Sequence, residues 1–307
     1  MNVAVVGVGG IGGFLGAKLA AHAEEGGHNV YFLARGDHLA AIRRDGLRLQ
    51  TPNGDVIGRP TDAADDPSGW PTMGLILLCV KGFDLEAAAR EIAPLVDTRT
   101  VVIPLQNGIR KRQRIERVLP KGLAADGSVY ISAHIQGSGQ VVFTGGPGRV
   151  VFGREPDDVE VLRPYRAVLV DSGVETELVE NAAVEVWSKY LFICALAGTT
   201  SFFREPLGPI LANPQKRGLL EDLMREVKVL ARAAEVQLPD DIVSRAMALC
   251  ASFPVSTKSS LLRDLEQGRP NEFEWLIGTM VELGRDYGVE LPVAGRVHHG
   301  IAAAWNL

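Results

Sequence analysis

Six residues near the start of the chain, Gly7-Val8-Gly9-Gly10-Ile11-Gly12, restrict the fold more than any other feature. An apolar run, Asn2–Val6, leads into them, and apolar residues then recur at helical spacing through Phe14, Leu15, Ala17, Leu19 and Ala20. After a loop containing Gly26 and Gly27, a second apolar run occupies residues 30–34. Strand, glycine turn, helix and strand in that order read as a βαβ unit, which makes the two strands parallel neighbours. In this context G-x-G-x-x-G has a mechanical reading: Gly7 permits the tight turn, Gly9 lets a pyrophosphate approach the backbone, and Gly12 lets the helix pack closely on the strand. The N–H groups and positive end of the helix can then hold the anion. The loop, Val8, Gly10 and Ile11 included, is expected to bind a dinucleotide.

The same alternation continues. Residues 75–80 and 100–105 read as buried strands, with a helix between them over residues 85–95. A parallel sheet wrapped by helices, the doubly wound class, follows. Around residues 123–153 the texture changes to short runs broken by glycine, at 128–133, 140–144 and 149–152, which read as antiparallel strands or a hairpin extension. Beyond about residue 157 helices dominate. Asn213-Pro214 offers an N-cap with proline at the first helical position, followed by Leu219, Leu220, Leu223, Val227, Leu230 and Ala231 at helical spacing. The last strong helix should run from near Asn271 to near Gly288, with Pro292 beyond it. The expected architecture is α/β: an N-terminal Rossmann-type doubly wound sheet followed by an all-helical C-terminal domain. The boundary is soft between about residues 155 and 185; placed at 175/176 it gives an NADP-binding domain, 1–175, and a substrate and catalytic domain, 176–307.

The end of the second strand bears on which dinucleotide. NAD-binding sites of this type usually carry an acid there to accept from the ribose hydroxyls. Here the strand runs into Arg35-Gly36, and Asp37 follows only after the glycine. Arginine can bind a 2′-phosphate by charge-assisted bonds and stack on adenine, so NADPH is the expected cofactor. A solvated loop arginine is the competing reading. Composition excludes other classes. The formal net charge is −5 and no basic run stands out, which argues against nucleic acid. The longest apolar runs fall far short of the roughly 20 residues of a membrane span. No signal peptide is legible, which points to the cytoplasm. The three cysteines, Cys79, Cys194 and Cys250, lie in apolar contexts with no metal-ligand spacing, so they read as buried thiols and no metal is expected.

Several blocks in order resemble the ketopantoate reductase (2-dehydropantoate 2-reductase) family: the 7–12 loop, Phe32-Leu33-Ala34-Arg35-Gly36, Cys79-Val80-Lys81, Gln106-Asn107-Gly108, Trp187-Ser188-Lys189, Ser259-Ser260-Leu261-Leu262-Arg263-Asp264 and Asn271-Glu272. The resemblance spans nearly the whole chain. It implies a Rossmann-type domain and a helical domain with the active site in the cleft between, and NADPH-dependent reduction of a 2-oxo acid such as 2-dehydropantoate, in pantothenate biosynthesis. It also implies roles. Lys189 corresponds to the catalytic lysine and Glu272 to the active-site glutamate. Ser260 corresponds to the substrate-carboxylate contact, and Lys81 and Asn107 to positions lining cofactor and substrate.

Local chemistry offers each residue a second reading. Lys189 leads into Tyr190-Leu-Phe-Ile-Cys-Ala-Leu-Ala197, apolar on every helical face. Partial desolvation there would tune it toward a general acid, whereas a snorkelling lysine would keep its ammonium in water. Asn271 could cap a helix whose positive end Glu272 and Glu274 favour. Ser260 could cap a helix beginning at Leu261. Asn107-Gly108 could simply form a turn, although Lys81 and Asn107 both follow apolar strands, where α/β sheets bind ligands. One departure stands out. The family's asparagines four and eight residues after the lysine are replaced by Ile193 and Ala197. The pocket should then suit a more apolar substrate, or Thr199, Thr200 and Ser201 supply replacement hydroxyls. A related hydroxyacid or imino-acid dehydrogenase and a non-catalytic NADPH-sensing protein are the alternative functions. A small 2-oxo acid is the expected partner, and the chain could act as a homodimer.

Overall fold

The chain begins with β1 (Asn2–Val6), α1 (Gly10–Ala21), β2 (Asn29–Leu33), α2 (Gly36–Asp45), β3 (Leu47–Thr51), β4 (Gly54–Gly58) and β5 (Asp62–Ala64). It continues through β6 (Leu75–Leu78), α3 (Leu85–Ile92), β7 (Val101–Pro104), α4 (Lys111–Val118), β8 (Leu123–Ala124), β9 (Asp126–Gly137), β10 (Gln140–Gly153), α5 (Val159–Asp171) and β11 (Glu175–Leu178). The computed structural model describes residues 1–154 and 159–307; residues 155–158, at the start of the interval expected to hold the domain boundary, lie outside the described residues.

Six strands form a wholly parallel sheet in the order β5-β2-β1-β6-β7-β8. Their near-continuous apolar sequences follow from burial on both faces: every residue of β6 and β7 is buried. The chain runs from β1 to β2 on one side and later crosses to β6 on the other, so β1 sits at the switch point, where a crevice opens beyond the strand ends.

A second sheet, β11-β10-β3-β4 with β9 also on β10, contains strands that apolar periodicity did not reveal. β3 and β4, like β5 of the parallel sheet, are short and carry polar residues on exposed positions. The short runs expected over 123–153 join into one long antiparallel hairpin, β9 and β10, with register shifts near Phe143, Gly145 and Arg149. Those irregularities let one strand bend through glycines that a sequence reading takes as breaks. Helix α1 lies against both sheets and therefore has no polar face. Added Cβ atoms would meet Phe32 of β2 at Gly16 and Val141 of β10 at Gly13, and β4 approaches through Gly58, where an added Cβ would lie 2.5 Å from the Ala17 carbonyl oxygen.

The remaining elements are α6 (Ala182–Phe203), α7 (Leu207–Ala212), α8 (Pro214–Ala233), α9 (Ile242–Ser252), α10 (Ser260–Glu266), α11 (Thr279–Tyr287) and α12 (Pro292–Trp305). Asn213 caps α8 as expected, its side chain accepting from the N–H groups of Gln215 and Lys216. α11 ends at Gly288 in the left-handed region, but it is not the last strong helix. Pro292 sits at the start of α12, because proline is tolerated in a first turn whose N–H groups lack helical partners. Contacts divide the chain into Met1–Gln106 with Arg110–Ala182, and Asn107–Ile109 with Ala183–Leu307. The expected join at 175/176 falls at the start of β11, which pairs with β10; the division lies a few residues further on, at Ala182/Ala183. No helix among the described residues is long and apolar enough to cross a membrane.

Candidate functional site

In the first unit, Gly7, Arg35 and Lys81 share one edge. The parallel register sets Val6 beside Leu33 and beside Leu78, so the chain leaves β1, β2 and β6 at the same level. Gly7 takes φ +88°, open to glycine at little cost, and its N–H donates to the Leu33 carbonyl at 3.0 Å. Gly9 opens α1; a Cβ there would meet nothing within 4 Å, and the helix start has neither a side-chain cap nor an acid in its first turn. An uncapped helix start facing open space is what a pyrophosphate requires. A Cβ at Gly12 would clash with the Gly7 carbonyl oxygen, so glycine there lets α1 pack closely on the turn. Gly10 also packs: its Cβ would meet the Ala133 carbonyl oxygen of β9. Val8 is buried, so only its main chain could bind a ligand, and Ile11, partly buried, packs on the core. Arg35 immediately precedes α2, is exposed, and pairs with Glu91 at 3.0 Å. Such surface pairs contribute little, so a phosphate could displace the carboxylate. Lys81 is exposed just before a short 3₁₀ turn at Gly82–Asp84.

In the second unit, α6 carries Lys189, half-buried, with half-buried Ile193 one turn on along the same face. The adjacent Tyr190 is fully buried, and its hydroxyl donates to the Leu276 carbonyl at 2.6 Å. Burial raises the Tyr190 phenol well above its ordinary range, so the hydroxyl stays a donor. This bond fixes α6 to the turn that follows Glu272. Glu272 is itself buried, 7% exposed. Asn271 accepts from the Phe273 N–H at 3.1 Å, so the expected cap is present, and Glu272 stands at the positive helix end. The helix then passes through a π turn, Glu274–Gly278, before α11. π turns of this kind recur at functional sites. Glu274 turns away to pair with His298 at 3.0 Å. Trp275 donates from Nε1 to the Asn107 carbonyl, and Gly108 packs flush on its ring. The Asn107 turn therefore belongs with the Glu272 segment.

Two expectations about α6 and α10 need correction. Ser259, not Ser260, is the cap: it is buried, accepts from the Leu262 N–H at 3.1 Å, and meets the Thr200 hydroxyl at 2.7 Å. The helix consequently begins at Ser260, whose hydroxyl is exposed and not needed for capping. Thr199, Thr200 and Ser201 cannot replace the missing asparagines. All three are 0% exposed, because α6 is enclosed on every side at that level, and Thr200 is taken up by Ser259 and the Leu196 carbonyl.

Several residues here carried no sequence signal. Lys111 lies in a Lys-Arg-Gln-Arg run that reads as a solvated face, yet it is fully buried. His38 accepts from the Gly139 N–H through Nδ1, tying the helix after Arg35 to the hairpin tip. Cys194 and Cys250 are buried as expected, whereas Cys79 is only partly so; desolvation pushes all three free thiols up to about 12, which makes them poor nucleophiles. Among the described residues no His/Cys/Asp/Glu group could hold a metal ion.

Comparison with known proteins gives the family of the chain. The sequence profile described as ketopantoate reductase PanE/ApbA matches residues 3–157, and that of the ketopantoate reductase PanE/ApbA C terminal matches residues 181–304. The chain belongs to the ketopantoate reductase family. A 2-dehydropantoate 2-reductase of Halobacterium salinarum is 30% identical over 95% of each chain, and a Bacillus subtilis protein, "uncharacterized oxidoreductase YkpB", is 29% identical over 97% of each. The crystal structure of a PanE/ApbA family ketopantoate reductase from Ralstonia eutropha shares the fold, with a TM-score of 0.89 at 29% identity, covering 100% of this chain and 99% of that one. Membership in the ketopantoate reductase family carries its coarse chemistry: an oxidoreductase acting on CH–OH, reducing a 2-oxo acid with a pyridine nucleotide.

Proposed function

We propose that this chain reduces the ketone of a small 2-oxo acid to the hydroxy acid with NADPH, with 2-dehydropantoate as the reference substrate. The observation that carries the reading is the tie between Tyr190 and the Leu276 carbonyl, which fixes the α6 segment bearing Lys189 to the segment that begins with buried Glu272. When bound, the nicotinamide supplies the hydride. The 7–12 loop would hold the pyrophosphate and Arg35 the 2′-phosphate; open Gly9 and the absence of an acid at the end of β2 support both. Lys81 and Asn107 stand beyond strand ends suited to lining the cofactor, Asn107 reaching the substrate as well. Ser260, exposed at the start of α10, would meet the substrate carboxylate. Lys189 would bind the substrate oxygen and protonate the developing alkoxide, and Glu272 would hold the ammonium in place. Ile193 beside Lys189 favours an apolar substituent on the acid. Three thiols with raised pKa suit a reducing cytoplasm, and a homodimer is the assembly we would look for by light scattering.

The test is a panel of 2-oxo acids, including 2-dehydropantoate and branched apolar analogues, assayed for oxidation of NADPH and of NADH. Turnover of at least one with NADPH preferred supports the proposal. Cofactor binding with no turnover of any acid would favour a sensing role.

A further inference from the structure

Lys111 is 1% exposed, and its ammonium donates to two main-chain carbonyls, Gln106 at 2.8 Å and Gly127 of β9. Asp126 is nearby but is engaged by the Arg112 guanidinium at 2.8 Å. Ion-sized groups lose much hydration on burial, so a lysine is an expensive residue for filling space. What it grips gives it a use. The Gln106 carbonyl belongs to the peptide bond whose nitrogen is that of Asn107. The Gln106 side chain is fixed too, its amide donating to the Leu78 carbonyl at 3.0 Å. One peptide further on, the Asn107 carbonyl accepts from Trp275. Gly108 follows at φ +106°, and Arg110, not a glycine, sits in the left-handed region at φ +57°. Such a sequence of unusual torsions persists only where its surroundings determine it.

We propose that Lys111 is a positioning residue: by locking the peptide that joins Gln106 to Asn107, it sets where the Asn107 side chain stands beyond β7. This rests on the assignment of Asn107 to cofactor and substrate. Lys111 touches neither and acts through the backbone.

Lys111→Met keeps the aliphatic bulk and removes the donors. With the best 2-oxo acid, kcat/KM should fall about ten- to hundredfold, the scale of a misplaced contact. In the Asn107→Ala background the same change should cost little more, because both act on one contact. Hydrogen exchange read by mass spectrometry gives a readout independent of turnover: residues 105–110 should exchange faster in Lys111→Met, while β1 and α1 keep wild-type protection. If circular dichroism shows Lys111→Met unfolded, Lys111→Gln, which retains a donor, takes its place and should give an intermediate loss. Wild-type kcat/KM and exchange in the variant, or full additivity with Asn107→Ala, overturns the proposal while leaving Asn107's role standing. Undiminished activity of Asn107→Ala overturns the assignment of Asn107 first, and the positioning role with it.

Discussion

On the proposed function, the loop after β1 and the Lys189 segment of α6 would carry their chemistry in opposite ways. In the first, function would rest on the main chain: Gly7, Gly9 and Gly12 matter for what they lack, and each Cβ that would be added meets either a wall or open space. In the second it would rest on side chains placed by burial, with Lys189 half-buried among apolar neighbours and Glu272 buried at a capped helix start. A backbone site leaves a spacing in the sequence. A side-chain site leaves only residue types, which surface and core residues share.

The sharpest way to break the comparison is Lys189→Ala. It should lower kcat by about 10²–10⁴, the range for a positioned acid, with NADPH affinity unchanged because the first unit is untouched. Steady-state kinetics with a fluorescence titration of NADPH would separate the two; wild-type kcat would leave Lys189 a surface lysine. Gly12→Ala should do the reverse. Its Cβ would lie 2.1 Å from the Gly7 carbonyl oxygen, so we expect a loss of about 3 kcal/mol in denaturant unfolding together with NADPH binding.

A pH titration of stability tests the buried lysine. Burial pulls the Lys111 amine down to about 8 from 10.5, against the opposing pull of Asp126. Below about pH 8 the folded and unfolded chains both hold that proton. Between about 8 and 10.5 the unfolded chain holds more protons, so this group makes stability rise with pH across that window. The rise amounts to about 3 kcal/mol. Asp126, the charged group that opposes the shift, is itself paired with Arg112 at 2.8 Å. Lys111→Met should flatten the rise; an unchanged slope would place its origin elsewhere.

Arg35→Ala should weaken NADPH by about 1.5–3 kcal/mol, the worth of a charge-assisted bond, and NADH far less. Equal affinities in the wild type would remove the 2′-phosphate role. The smallest effects divide two neighbours. Ser259→Ala should cost about 1 kcal/mol of stability as a lost cap. Ser260→Ala should leave stability within about 0.5 kcal/mol and instead raise KM for the acid. A stability loss confined to Ser260 would reverse our reading of the helix start.

Much of the parallel sheet was legible because its strands are buried on both faces and read as unbroken apolar runs. The second sheet was not. β3 and β4 are short and expose Arg48, Asp55 and Ile57, and β10 passes through Gly145, Gly146 and Gly148, which look like breaks until β9 is laid beside them. The Asn213 cap was readable because a cap is a local event. Moving the α10 cap from Ser260 to Ser259 was not, because the choice between adjacent serines was made by Thr200, far away in sequence.

By itself, the sequence determined the βαβ start, the spacing of the glycine loop and the arginine that follows β2, since these depend on spacing and on short-range backbone geometry. Tertiary structure alone decided that Thr199, Thr200 and Ser201 are enclosed, that Tyr190 pins Lys189's helix to the Glu272 segment, and that Lys111 turns inward onto the Gln106 carbonyl. Burial and the choice of hydrogen-bond partner are properties of what packs against a residue, and those neighbours come from distant parts of the chain.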